Sequence, residues 1–246
     1  MMPLDSFTAL LLTQRILGVG LLIQSVELIL TRRIYGNDGA LAGWGDVSGL
    51  LALRSGLALW LMIAPGGVSA VVNVVLLATL LVSSAWLTLR SRGPVCGGSD
   101  SMFFQVQLGL FVAALGFVTP LLTKLGLGWI AAQSVLSYFL AGLGKIQNAG
   151  WRNGVALQHL FASNGPYVLW HGVRRLATSQ PICVLLGWSV VLFELAFPVL
   201  LVLPVAGKLA FIMAALTFHL ANAVVLGLNR FVWAWAATYP ALLHFQ

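Results

Sequence analysis

Residues 68–90 read VSAVVNVVLLATLLVSSAWLTLR, and the only charged side chain in the run is its last, Arg90. An α-helix needs about 20 consecutive, mostly apolar residues to cross the hydrocarbon core of a bilayer. This run meets that length without a break. It is bounded by Pro65-Gly66-Gly67 before it and Gly93-Pro94 after it, both strong turn signals.

The same reading extends in both directions. Further apolar runs lie at 7–31, 48–65, 102–120, 126–147, 181–203 and 208–228, with a short last one at 231–245. Pro204 and Asn229-Arg230 mark two more breaks. Over the 246 residues, 60% are hydrophobic and 8% charged, against about 45–50% and 25% in a soluble domain. The fold class predicted is all-α: a polytopic integral membrane bundle of seven or eight transmembrane helices. Residues 1–246 are read as a single domain with no room for a separate aqueous one. Residues 148–180 hold too many polar groups to span, and an interfacial or re-entrant helix is expected near 153–162.

The net charge of +7 does not mark a nucleic-acid binder, because the basic residues are scattered and form no contiguous patch. Membrane lipids are the expected surroundings. Counting Arg32, Arg33, Arg54, Arg90, Arg92, Arg152, Arg174, Arg175 and Arg230 as loop charges, the positive-inside rule puts the odd loops in the cytoplasm. MMPLDSF carries Asp5 and no basic residue, so the first apolar run reads as a retained span and not a signal peptide. Two cysteines, Cys96 and Cys183, are too few for a disulfide scaffold. Both belong to one side of the membrane in this scheme.

Ionisable residues inside spans cost about 2.5–3.5 kcal/mol each at the centre, so each requires a reason. Arg15 and Glu27 share the first span but lie about 18 Å apart along its axis, too far to pair with each other. Arg15 serves either a buried pair or a charged substrate. Ser134, Tyr138, Ala141 and Lys145 form one helical stripe, and Gly142 and Gly144 allow another backbone close to it. Lys145 either snorkels to the interface or, desolvated, offers a neutral amine as a base. His219 and Asn222 share a face of the 208–228 span, where an imidazole either holds a proton or packs as a hydrogen-bonded core residue. Glu194 pairs with a cation or carries a proton. Asp100, or its neighbour Ser99, is most simply a helix N-cap. Phosphate-binding, zinc-protease and hydrolase motifs are missing, and the histidines lie on different elements, so no metal is expected.

Two segments add a resemblance. Tyr138-Phe139-Leu140-Ala141-Gly142-Leu143-Gly144-Lys145-Ile146, followed by Trp151-Arg152-Asn153-Gly154, resembles the signature of the HTTM family, the membrane domain shared with vitamin K-dependent gamma-carboxylase. Arg15-Ile16-Leu17-Gly18, Tyr35 to Leu41, Gly98-Ser99-Asp100, Phe193-Glu194-Leu195 and Phe218-His219-Leu220-Ala221-Asn222 fit in order. The resemblance implies a carboxylase- or oxygenase-like lyase chemistry. In it a lysine at the position of Lys145 deprotonates a reduced quinone of the vitamin K or menaquinol type. Lys145 and His219 are then the implied catalytic residues, and Tyr138, Trp151, Asn222, Glu194, Arg15 and Asp100 the implied substrate- or cofactor-binding ones. The carboxylase continues into a large aqueous region, which residues up to Gln246 do not include, and it works on the lumenal side. Stand-alone bacterial members include a membrane protein that matures a secreted peptide toxin of the sporulation-delaying type. That implies a multi-pass protein of a bacterial inner membrane with a hydrophobic or secreted peptide as partner. Three functions stay open: a membrane enzyme, a non-enzymatic maturation, export or immunity factor, and a small transporter.

Overall fold

The computed structural model describes residues 4–35, 47–63, 66–90, 97–162, 172, 175 and 178–245. Among them every regular element is helical. In chain order these are α1 (Ser6–Tyr35), α2 (Ser48–Ile63), α3 (Ala70–Arg90), α4 (Gly98–Ala114) and α5 (Pro120–Gln147). There follow α6 (Ala149–Arg152), α7 (Val155–Ala162), α8 (Gln180–Ala196), α9 (Val205–Leu226), α10 (Asn229–Ala236) and α11 (Tyr239–His244). Short 3-10 turns extend α4 over Leu115–Phe117 and α8 over Phe197–Val202.

Among the described residues six helices are long and apolar enough to cross a membrane: Ser6–Leu30, Ala70–Leu89, Gly98–Phe117, Pro120–Gln147, Gln180–Val202 and Val205–Leu226. Large apolar side chains such as Val82, Leu89, Leu185 and Val202 point outward, as a lipid-facing surface requires. The protein is therefore a helical integral membrane protein. The 16 residues of α2 extend about 24 Å, less than the roughly 30 Å of hydrocarbon. The last apolar run, expected as one short span over 231–245, is instead two helices of 8 and 6 residues. Pro240 lies in the first turn of the second, where its missing N–H is tolerated, whereas inside one continuous helix it would remove a hydrogen bond.

The described residues group into two compact units. Residues 2–131 and 233–245 form one, residues 132–232 the other, and α5 and α10 each run through the division. In the first unit α1 lies along α2 and α3 along α4, while α1 also touches α4 and α11. The crossing of α4 with the start of α5 is a glycine contact: a Cβ on Gly126 would lie 2.3 Å from the Gly109 carbonyl oxygen. In the second unit α6 and α7 pack against α8, and α7 also meets α9. Leu157 and Phe161 of α7 close over the buried Cys183. Cys96 lies outside the described residues, as do His171, Arg92 and Arg174.

Candidate functional site

The site in residues 132–232 starts from one face of α5. Ser134 and Tyr138 are buried on it, and Gly142 lies between them and Lys145. A Cβ on Gly142 would stand 2.9 Å from the Leu195 backbone nitrogen and 3.0 Å from the Glu194 Cβ. The bare glycine thus lets α8 approach until Glu194 meets the next residue of the stripe. Lys145 Nζ donates to both carboxylate oxygens of Glu194, at 2.7 Å each. Side-chain exposure is 20% for Lys145 and 4% for Glu194, so the carboxylate is the more deeply buried partner. Of the two sequence alternatives for Glu194, the structure shows the one in which it pairs with a cation.

Local rules place a third group beside this pair. The Asn148 side chain accepts the Gly150 N–H at 2.8 Å and caps α6. Arg152 donates back to the Ile146 carbonyl at 3.0 Å, closing the short helix onto the end of α5. Trp151 then stands with its ring centroid 5.1 Å from Lys145 Nζ, a cation–π distance. Carboxylate and indole together enclose the ammonium head.

About two turns before Lys145 on α5, Tyr138 meets α9. Its hydroxyl lies 2.6 Å from His219 Nε2, and both residues are 3% exposed. The Tyr138 ring stacks on Phe197 at 3.8 Å and 15°, with Phe193 edge-on at 6.0 Å. Phe197 holds that position because α8 tightens into a 3-10 turn there. Pro198 has no N–H to return to the Glu194 carbonyl, and its ring would crowd it in a regular helix. Asn222, one turn beyond His219, is half-buried. Its backbone carbonyl accepts from the amides that end α9, including Leu228 at 3.3 Å, and its side chain makes no hydrogen bond among the described residues.

Arg15 and Asp100 belong to the other unit. Arg15 is exposed on α1. Asp100 is the third residue of α4, one turn in from the cap at Gly97, whose N–H it accepts at 3.4 Å. Its other oxygen accepts from Gln24 Nε2 at 2.6 Å, and Gln24 Oε1 in turn accepts from Arg54. Arg54 is therefore no loop charge. It is 1% exposed in the middle of α2, linked to a carboxylate through a neutral amide. Its flanking leucines at 50, 51, 53 and 57 were the sign that it lies within an apolar helix. Among the described residues no three His, Cys, Asp or Glu side chains gather as a metal site.

No curated protein and no solved structure matches the chain. The HTTM domain does match, over residues 121–246, more than half of the sequence. That stretch holds Tyr138, Lys145, Trp151, Glu194, His219 and Asn222, every member of the site built above, whereas Arg15, Arg54 and Asp100 precede it. The chain belongs to the HTTM family.

Proposed function

We propose that the protein is a membrane enzyme that modifies a peptide or lipid-soluble substrate with a reduced quinone, Lys145 serving as the base. The observation that carries this reading is the Lys145–Glu194 hydrogen-bonded pair under the Trp151 ring, on the same face of α5 as the Tyr138–His219 contact. A reduced quinone, when bound, supplies weakly acidic hydroxyls and a pair of electrons. The residues present suit such a head group chemically: Phe193, Phe197, Phe211 and Phe218 pack on one another as an apolar aromatic cluster. His219 lies against Phe218, and Glu194, the partner of Lys145, is on the same helix α8 that carries Phe193 and leads into Phe197.

The chain's own part is proton handling. Along the 2.7 Å bond one proton can pass from Lys145 Nζ to a Glu194 oxygen, leaving a neutral amine and a neutral acid. In a medium that penalises buried charge, this form competes with the ion pair far better than it does in water. The amine then takes a hydroxyl proton and returns to ammonium, and the proton first moved stays on Glu194. Trp151 stands over the ammonium at a cation–π distance. In this reading the protein is a multi-pass protein of a bacterial inner membrane.

Purified protein in nanodiscs, given reduced vitamin K or menaquinol with oxygen and bicarbonate, tests the proposal. Mass spectrometry is expected to detect quinone epoxide that disappears in Lys145→Ala. Absence of epoxide with folded wild-type protein and either quinol would sink it. A second reading draws on the bidentate pairing, which already satisfies both charges: the pair is a clamp, and the protein a non-enzymatic maturation, export or immunity factor that holds a hydrophobic peptide. It predicts a co-purifying peptide, and function retained in the double variant Lys145→Met with Glu194→Gln.

A further inference from the structure

Helices α2 and α3 follow one another in the chain, yet each lies along a different neighbour, α2 on α1 and α3 on α4. Between them remains an open groove of about 710 Å³. Leu50 and Leu53 of α2 line one side, Val75, Val82 and Trp86 of α3 the other, and α4 contributes Phe111. Among the described residues none that lines it is charged. Two hydroxyls in the lining are turned back into their own helix: Thr79 Oγ1 donates to the Val75 carbonyl at 2.9 Å and Ser83 Oγ to the Leu80 carbonyl at 2.7 Å. Leu53, Val75 and Val82 are 51%, 57% and 68% exposed, on or beside a helix that is long and apolar enough to span. A surface of this kind at membrane depth takes hydrocarbon, and left empty it would forfeit dispersion contacts along its whole length.

The dimensions select the occupant. From Val74 to Trp86 the α3 wall rises about 18 Å. Spread over that length, the volume gives a mean section of about 40 Å². An α-helix with its side chains is about 10–12 Å across and needs roughly 80–110 Å², so a helix of a partner or of a second copy does not enter. A hydrocarbon chain with carbon contacts at about 3.5–4.0 Å takes roughly 15–20 Å². Two chains side by side fill the groove, and one leaves about half of it empty. The length agrees, since about 18 Å is slightly more than half of the roughly 30 Å hydrocarbon core, the reach of chains from one leaflet. Trp86 stands about one turn from the end of the span Ala70–Leu89, the level at which indole rings favour the headgroup zone. We infer that the groove is a binding site for one diacyl phospholipid, its two acyl chains laid between α2 and α3 from Trp86 toward Val74 and its headgroup at the Trp86 end. The site goes beyond the proposed function and makes no use of chemistry at Lys145.

Native mass spectrometry of the full chain, titrated with phosphatidylethanolamine and released from detergent micelles, is expected to show one lipid adduct that survives collisional activation. Phosphatidylethanolamine with a photoreactive diazirine in one acyl chain is expected to crosslink within residues 74–86. Val82→Trp puts an indole into the groove from a side chain that is already 68% exposed, and Ala78→Trp fills it one turn away. Each should lose the adduct and the crosslink with its helical circular dichroism unchanged. Leu185→Trp, on an outward position of α8, should keep both. No stable adduct in wild type, an adduct retained by the folded Val82→Trp and Ala78→Trp proteins, or crosslinks spread equally over the outward faces of α3, α8 and α9 would each overturn the inference. So would a dimer that Val82→Trp dissociates, or a prenylquinone as the mass stably retained by protein extracted from its own membrane. Every outcome is read without turnover, so a missing quinone activity beside the expected adduct would count against the enzyme reading alone.

Discussion

Removing either member of the Lys145–Glu194 pair destabilises the protein, and the two losses are expected to differ in size. Taking one partner from a buried ion pair costs about 3–5 kcal/mol, because the other charge is left uncompensated. Glu194 is 4% exposed, so Lys145→Met approaches that range, at about 3 kcal/mol. Lys145 is 20% exposed and lies in the last turn of α5. In Glu194→Gln its flexible stem can carry the ammonium toward the interface, and the cost falls to about 1–2 kcal/mol, between the surface and buried cases. The double variant leaves no charge behind, so its cost is expected near that of Glu194→Gln alone. The coupling from the double-mutant cycle is then about 3 kcal/mol, at the upper end for residues in contact. Reversible unfolding by SDS in mixed micelles, followed by helical circular dichroism, gives all four stabilities. The Lys145→Met defect is also expected to shrink on acidification, since a protonated Glu194 is cheaper to bury. Additive losses, with a coupling below about 0.5 kcal/mol, would refute the reasoning, and so would a larger cost for Glu194→Gln than for Lys145→Met.

Three other variants probe the packing around these groups. Gly142→Val puts a branched side chain where a Cβ already meets the α8 backbone at 2.9 Å. It is expected to cost about 1–3 kcal/mol as overpacking and to abolish the Lys145–Glu194 coupling when the cycle is repeated in that background. Gln24→Leu removes the amide that joins Arg54 to Asp100 and strands a buried cation, so SDS unfolding should show a loss of about 3 kcal/mol or more. Arg54→Met, which takes the cation away, should cost less. Asp5, just outside the first span, accepts the Thr8 hydroxyl at 2.6 Å and its amide at 2.9 Å, and these bonds hold its carboxyl below the ordinary carboxylate range. The stabilisation is complete above the unfolded carboxyl's range and is lost as pH falls through the lower native one. Amide exchange in the first turn of α1 should therefore quicken on acidification in wild type, and in Asp5→Asn it should lack that dependence.

Hydropathy made the long helices legible because in lipid a span is decided by length and apolarity alone, and Pro204 marks a break by the same local chemistry that the fold uses, standing at the start of α9. It did less well over 231–245, where composition stays apolar while Pro240 divides the run into two short helices. The α5 stripe was readable from helical spacing, since Tyr138 and Lys145 had only to share one helix face. Their partners were not, because nothing local says that Glu194 faces Lys145 or that His219 faces Tyr138. The Gly142 contact fixes the first of these pairings, and it appears in the sequence only as one small residue among several. Arg54 was misplaced for a related reason. A cation counted by its distance from a turn looks like a loop charge, and its burial depends on Gln24 and Asp100 from two other helices.

The two buried clusters also separate structural from chemical use of charge. Arginine keeps its proton throughout the accessible pH range and a glutamine amide has none to give, so the chain Arg54–Gln24–Asp100 can bind helices but has no route for passing a proton along itself. Lysine and glutamate in direct contact differ: either can hold the proton that lies between Nζ and Oε, and exchanging it converts two charges into none. Lys145 is also the less buried partner of the pair, with 20% of its side chain exposed against 4% for Glu194. If charge in this protein served packing alone, the arginine–amide arrangement would suffice in both places. A lysine set directly on a carboxylate and covered by Trp151 is the arrangement that the proposed function, a proton that has to move, calls for.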